Sequence, residues 1–83
     1  MKIRYFAWVR ERIGRDGEEL EPPAEVVTVA DLLTWLRGRG EEYEYALERP
    51  EVIRVALDQR HAAAGTALGA AREVALFPPM TGG

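Results

Sequence analysis

Four apolar residues near the middle of the chain decide most of what it can become. Val29, Leu32, Leu33 and Leu36 fall at i, i+3, i+4 and i+7, which puts them in one stripe along a helix. Thr28 stands at the N-cap position. Asp31, three residues on, completes a capping-box pattern and suits the positive end of the helix. Gly38 and Gly40 close the segment. A stripe this well defined must be buried, and the flanking sequence offers strands to bury it against.

Residues 2–8 alternate, with Ile3, Tyr5 and Ala7 on one face and Lys2, Arg4, Phe6 and Trp8 on the other. Period two with aromatic and branched residues predicts a strand. Val9 and Ile13, four apart and followed by Gly14, predict a short helical turn, and Asp16-Gly17 supplies turn chemistry. Residues 18–27 read as a weaker strand with Leu20 and Val27 inward, interrupted by Pro22-Pro23 and therefore suited to an edge. Residues 41–49 predict a shorter helix with Tyr43, Ala46 and Leu47 in register. Alternation returns at 52–57 through Ile53, Val55 and Leu57, and Asp58-Gln59 reads as a turn. Residues 60–65 are ambiguous, and residues 73–77 form a last strand with Val74 and Leu76 inward. The order strand, strand, helix, strand, strand favours a mixed sheet with one main helix across one face and short extra helices. This is an α+β, β-grasp (ubiquitin-like) architecture, with a domain over residues 1–78 and a flexible tail over 79–83.

The 83 residues bound the chain to one small domain. A hydrophobic fraction of 47% and a charged fraction of 30% belong to a globular protein. A domain of this size buries roughly 60–65% of its surface, so a partner would add to its stability. There is no cysteine, which removes disulfides, thiolate metal sites and cysteine nucleophiles. With His61 the one histidine, a histidine metal site would need another chain. The net charge is −3, and arginines 10, 12, 37, 39, 54 and 60 are interleaved with acids, so nucleic-acid binding is not expected. The N-terminus lacks the apolar core of a signal peptide, and no run approaches a membrane span. A cytoplasmic location is the expectation.

The segment after the last strand, Phe77-Pro78-Pro79-Met80-Thr81-Gly82-Gly83, has an unusual order of stiffness. Two prolines fix φ and favour an extended stalk, and two glycines make a slim tip without side chains. Such a tail suits a narrow channel in another protein and carries one reactive group, the carboxylate of Gly83. Adenylation by ATP turns a carboxylate into a mixed anhydride, and attack by a sulfur donor then gives a thiocarboxylate. Without cysteine, a sulfur carried covalently has only that carboxylate to ride on. Gly-Gly alone is weak evidence; joined to a β-grasp pattern and Phe-Pro-Pro it weighs more.

The run Glu73-Val-Ala-Leu-Phe-Pro-Pro-Met-Thr-Gly-Gly83 resembles the C-terminal signature of the molybdopterin synthase small-subunit family. Tyr5-Phe6-Ala7 with Val9-Arg10-Glu11 and Gly14, Thr28-Val29 with its leucines, and Val55-Ala56-Leu57-Asp58-Gln59 are similar to that family's first strand and helix, central helix and third strand. The resemblance implies that an activating enzyme adenylates Gly83 with ATP and that a sulfurtransferase system makes the thiocarboxylate. It implies that the tail enters the large synthase subunit, in a heterotetramer, and gives sulfur to cyclic pyranopterin monophosphate. The small subunit is then a sulfur donor with no bound cofactor, and catalysis lies on the large one. Where the family often has an Asp-Gly-Asp turn before the last strand, this chain has Ala70-Ala71-Arg72, and Trp8 replaces a polar residue.

Phe77 reads as either a core residue or a partly exposed anchor for the partner, and Pro78, Pro79, Met80, Thr81 and Gly82 as the partner-binding stalk. Phe6 and Trp8, on one outward strand face, form a candidate docking patch or pack beneath a loop. Trp35 belongs at the core edge and His61 at the surface, and Glu18, Glu19, Glu41 and Glu42 read as solvated acids. Three further readings stand beside the first: a carrier for thiamin, cysteine or tRNA thiolation, a ubiquitin-like modifier, and an interaction domain with an inert tail. Lys2 is the sole lysine, which argues against polymeric tagging.

Overall fold

A computed structural model describes residues 1–79. The elements in chain order are β1 (Lys2–Tyr5), α1 (Ala7–Ile13), β2 (Gly17–Glu19), α2 (Val29–Arg37), α3 (Glu41–Ala46), β3 (Arg54–Leu57), β4 (Arg60–Ala62) and β5 (Glu73–Phe77). A 3-10 turn, Pro50–Val52, precedes β3. The strands form one sheet in the order β2-β1-β5-β3-β4. β1 and β5 are parallel, and the other neighbours are antiparallel. This is the expected α+β sheet with a main helix and short extra ones.

The central helix forms as its sequence dictates. The Thr28 hydroxyl accepts from the Asp31 N–H at 3.1 Å, and the Asp31 carboxylate accepts from the N–H groups of Thr28 and Val27 at 3.0 Å each. Three backbone donors at the helix start are thereby satisfied. Leu32 and Leu36 are fully buried, and Val29 and Leu33 nearly so. They pack with Ile3, Tyr5, Val55, Val74 and Leu76 from the sheet and with Val9, Ile13, Tyr43 and Leu47 from the short helices. Each large aliphatic side chain buried this way contributes roughly 1.5–3 kcal/mol before entropic costs.

Three expectations need correction. The first strand ends at Tyr5, not at residue 8, because Phe6 is extended but Ala7 adopts φ 52° and turns the chain into α1. Ala7 is consequently exposed, and Gly14, at φ 89°, closes the helix in the left-handed conformation. The second strand is three residues long, since Pro22 and Pro23 have no N–H to extend the ladder, and Val27 is 54% exposed instead of inward. The ambiguous stretch at 60–65 begins with an additional strand, β4. Asp58 and Gln59 both take positive φ, 48° and 71°, and make the tight turn that pairs β4 with β3. Asp58 also accepts from the N–H groups of Arg72 and Glu73 at 3.0 Å each. The turn into β5 is thus held by a side chain from the hairpin, with Gly69 at φ 54° just upstream.

Glu18 is not a solvated acid. Its side chain is 10% exposed and receives the hydroxyls of Tyr43 at 2.5 Å and Tyr5 at 2.8 Å, with Arg15 at 3.0 Å and Arg39 at 3.2 Å. Burial pushes this carboxyl up, but the donors from Tyr43, Tyr5 and Arg39 outweigh it and hold it below its ordinary value. Burial and the same carboxylate push the Tyr5 hydroxyl up. The cluster ties the short β2 to β1 and to α3. Gly17 lets β2 approach, because a Cβ there would stand 2.6 Å from the Ile3 carbonyl oxygen.

Glu18→Gln should lower stability by about 2 kcal/mol in urea unfolding, the scale of a charged hydrogen-bond network losing its acceptor. Thr28→Ala should cost about 1 kcal/mol through the lost cap. Glu18 and Asp31 are both held below ordinary values of 4.5 and 3.8, the latter by the backbone N–H of Thr28 and then that of Val27. Their contribution is therefore complete above about pH 5 and is lost as the pH falls through the folded values. Urea midpoints between pH 3 and 7 should drop on the acid side, and less steeply in Glu18→Gln.

Candidate functional site

β5 ends at Phe77 and hands the chain to Pro78 and Pro79. The strand is bonded on both sides, to β1 in register Tyr5 with Leu76 and to β3 in register Arg54 with Phe77. The Phe6 N–H also donates to the Leu76 carbonyl at 3.1 Å. Val74 and Leu76 are fully buried on the helix side. Alternation turns Phe77 to the other face, where it is half-buried.

On that face Phe77 stacks on Phe6, with ring centroids 4.7 Å apart and planes 8° from parallel. The Arg4 guanidinium lies 5.1 Å from the Phe6 centroid. Phe6, Phe77, Pro78, Pro79, Arg54 and His61 line an open groove of about 590 Å³. Its floor is apolar and its rim carries Arg54 and the exposed His61. Phe77 is thus the partly exposed residue of the two expectations, and Phe6 is its direct partner.

Trp8 does not share that face, which corrects the expected Phe6–Trp8 patch. Once Ala7 bends the chain, spacing changes from two to 3.6 residues per repeat, and Trp8 stands on α1. There Arg12 is held between the rings of Trp8 and Tyr45, 4.3 Å from each centroid. Trp8, Arg12, Ala46, Arg49, Val52 and Pro79 line a second cleft of about 300 Å³. Pro79 borders both recesses, so Phe6 and Trp8 flank the root of the tail from two sides. A third cleft, of about 420 Å³, lies between α2 and β3–β4 away from Pro79 and shares only Arg54 and His61 with the groove.

Met80, Thr81, Gly82 and Gly83 lie outside the described residues. Among the described residues no group of three or more His, Asp or Glu side chains is placed to hold a metal ion. No helix among them is long and apolar enough to cross a membrane. The groove offers apolar contact with a cationic rim and no paired acid, base and nucleophile. Such an arrangement binds and positions. The sequence reading found Phe6, Phe77 and the prolines but not Arg4, Arg12 or Arg54. Alternation locates Arg54: with Val55 inward, Arg54 falls on the other face.

The profile of the ThiS family matches residues 3–83. The molybdopterin synthase sulfur carrier subunit of Haemophilus influenzae is 32% identical over 83 residues, covering 100% of this chain and 99% of that protein. The protein of the same name from Escherichia coli is 34% identical over the same shares. The crystal structure of small archaeal modifier protein 1 from Haloferax volcanii superposes with a TM-score of 0.72 at 30% identity, covering 96% of this chain and 97% of that one. With a full-length profile match, two end-to-end relatives and a shared sheet, the chain belongs to the ThiS family.

Proposed function

We propose that this chain is a sulfur carrier of molybdenum cofactor biosynthesis, the small subunit of a molybdopterin synthase. The observation that carries this reading is the end-to-end match to two proteins named molybdopterin synthase sulfur carrier subunit. The geometry supports it. The central strand ends at Phe77-Pro78-Pro79 beside a groove suited to a partner, and in sequence Met80-Thr81-Gly82-Gly83 follow.

In this reading residues 1–78 are the body and 79–83 the tail. The Gly83 carboxylate attacks the α-phosphate of ATP on an activating enzyme, releasing pyrophosphate and leaving an acyl adenylate. A sulfur nucleophile at the sulfide oxidation level, supplied by a sulfurtransferase, attacks the acyl carbon. AMP departs with the electron pair of the C–O bond, and a thiocarboxylate remains. The tail then enters the large subunit, where cyclic pyranopterin monophosphate takes the sulfur and water restores the carboxylate. Two deliveries complete the dithiolene, consistent with a heterotetramer of two small and two large subunits. The chain itself needs no cofactor, catalysis belongs to the large subunit, and the setting is the cytoplasm. Pro78, Pro79, Met80, Thr81 and Gly82 occupy the large subunit's channel, and Phe77 with Phe6 docks against the large subunit.

A second reading, covalent attachment of Gly83 to other proteins, is favoured by the likeness to small archaeal modifier protein 1. Isopeptide-linked conjugates recovered from cells would select it.

Intact mass of the native chain should show replacement of one oxygen by sulfur, located to the terminal peptide. Deleting Gly83 should abolish sulfur transfer while leaving circular dichroism and the urea midpoint unchanged. Full activity of the shortened chain would end the proposal. Phe6→Ala should weaken association with the large subunit on the order of tenfold or more, as expected for an aromatic anchor in an apolar groove, with thermal unfolding as the control for folding.

A further inference from the structure

The groove beside Pro78 and Pro79 is built mainly from apolar side chains, yet one strong cation stands at its rim. Phe6, Phe77, Pro78 and Pro79 supply the apolar surface, and Arg54 and His61 complete the polar part of the lining. Backbone register fixes Arg54 there. It lies opposite Phe77 on the neighbouring strand. Because Val55 points inward, alternation turns Arg54 to the side where Phe77 stacks on Phe6.

The other arginines around this end of the molecule have partners of their own. Arg4 reaches Glu73 at 4.0 Å and lies over the Phe6 ring. Arg12 is held by Trp8 and Tyr45 and lies 3.7 Å from Glu48. Arg49 pairs with Glu51 at 3.1 Å. Among the described residues Arg54 has neither an ion pair nor an aromatic ring to stack on. The acids nearest to it in sequence are engaged elsewhere, Glu51 by Arg49 and Asp58 by the N–H groups of Arg72 and Glu73. Lys2, Arg37, Arg60 and Arg72 also lack ion pairs among the described residues, but none of them lines the groove.

An exposed arginine in water needs no partner. Its situation changes when a protein covers the groove. The rings and prolines favour apolar contact, and that contact takes water away from the guanidinium beside them. A cation stripped of water and left unpaired opposes binding, whereas one met by a carboxylate in fork geometry supports it and fixes the register. The chain carries a net charge of −3, so attraction to an acidic surface here is a local feature that orients the encounter.

We infer that Arg54 is a specificity-determining residue for docking: the surface of the large subunit that covers the Phe6–Phe77 groove carries a carboxylate that meets the Arg54 guanidinium, beside an apolar side chain seated on the stacked rings. This deepens the carrier reading and rests on it for the identity of the partner.

The test follows association and dissociation of the full chain with the purified large synthase subunit of the same organism. Arg54→Ala should speed dissociation by roughly tenfold or more, and Arg54→Glu further still, as for a charge pair covered by the interface. Arg72→Glu makes the same change of charge roughly 16 Å away, just before the other end of β5, and should leave dissociation within about twofold. Arg54 is exposed, so its truncation leaves the core intact, and thermal unfolding of each variant checks this. An unchanged dissociation rate in Arg54→Ala overturns the inference and leaves the carrier reading standing; it is the result expected if the guanidinium swings into the recess between α2 and β3–β4, which it also borders. Equal losses in Arg54→Glu and Arg72→Glu overturn it as well, since a general field then accounts for both. Failure of the unsubstituted chain to bind the large subunit overturns the carrier reading together with the inference.

Discussion

The parallel pairing of β1 with β5 is the constraint on which the rest of the structure depends. It joins residues seventy-one apart in sequence, Lys2 with Glu73 through Tyr5 with Leu76. Everything between them is one long crossover, and α2 is the part that covers the sheet. The pairing puts the last strand in the middle, bonded on both flanks, with Val74 and Leu76 completely buried. A terminal strand normally frays. Here the strand that carries the tail is among the most firmly held parts of the molecule, so the direction in which Pro78 leaves is set by the core.

Around that exit the two faces of the molecule do different work. The helix side is apolar and closed by the Thr28–Asp31 cap and the tyrosine-bound Glu18. The opposite side keeps the Phe6–Phe77 stack half open, with arginines on its border. Arg4 and Arg54 border that open side, whereas the carboxylates Glu18 and Glu19 secure β2 and the N-terminus at the sheet's edge. Packing and surface contact are thus assigned to separate residues.

Much of this was legible in the sequence. The helix 29–37, its cap, the inward pairs Ile3–Tyr5 and Val74–Leu76, and the end of the last strand at Phe77 follow from spacing and residue type. What was not legible depended on backbone choices that spacing cannot report. Nothing in Tyr5-Phe6-Ala7-Trp8 announces that Ala7 takes a positive φ, so alternation carried the strand three residues too far and placed Trp8 beside Phe6. Arg60-His61-Ala62 has little strand character, and it pairs because Asp58 and Gln59 turn the chain back on β3. Glu18 looked like its exposed neighbours because its partners Tyr43 and Arg39 are over twenty residues away. Each miss came from a contact or dihedral that only the closed fold supplies.

The central position of β5 also orders events in time. During synthesis β1, both hairpin partners and all three helices emerge while the gap between β1 and β3 is still empty. The apolar edges facing that gap can be satisfied only when residues 73–77 have left the ribosome. The sheet therefore closes only once β5 has emerged. A chain interrupted before that point leaves β1 and β3 without the strand that joins them.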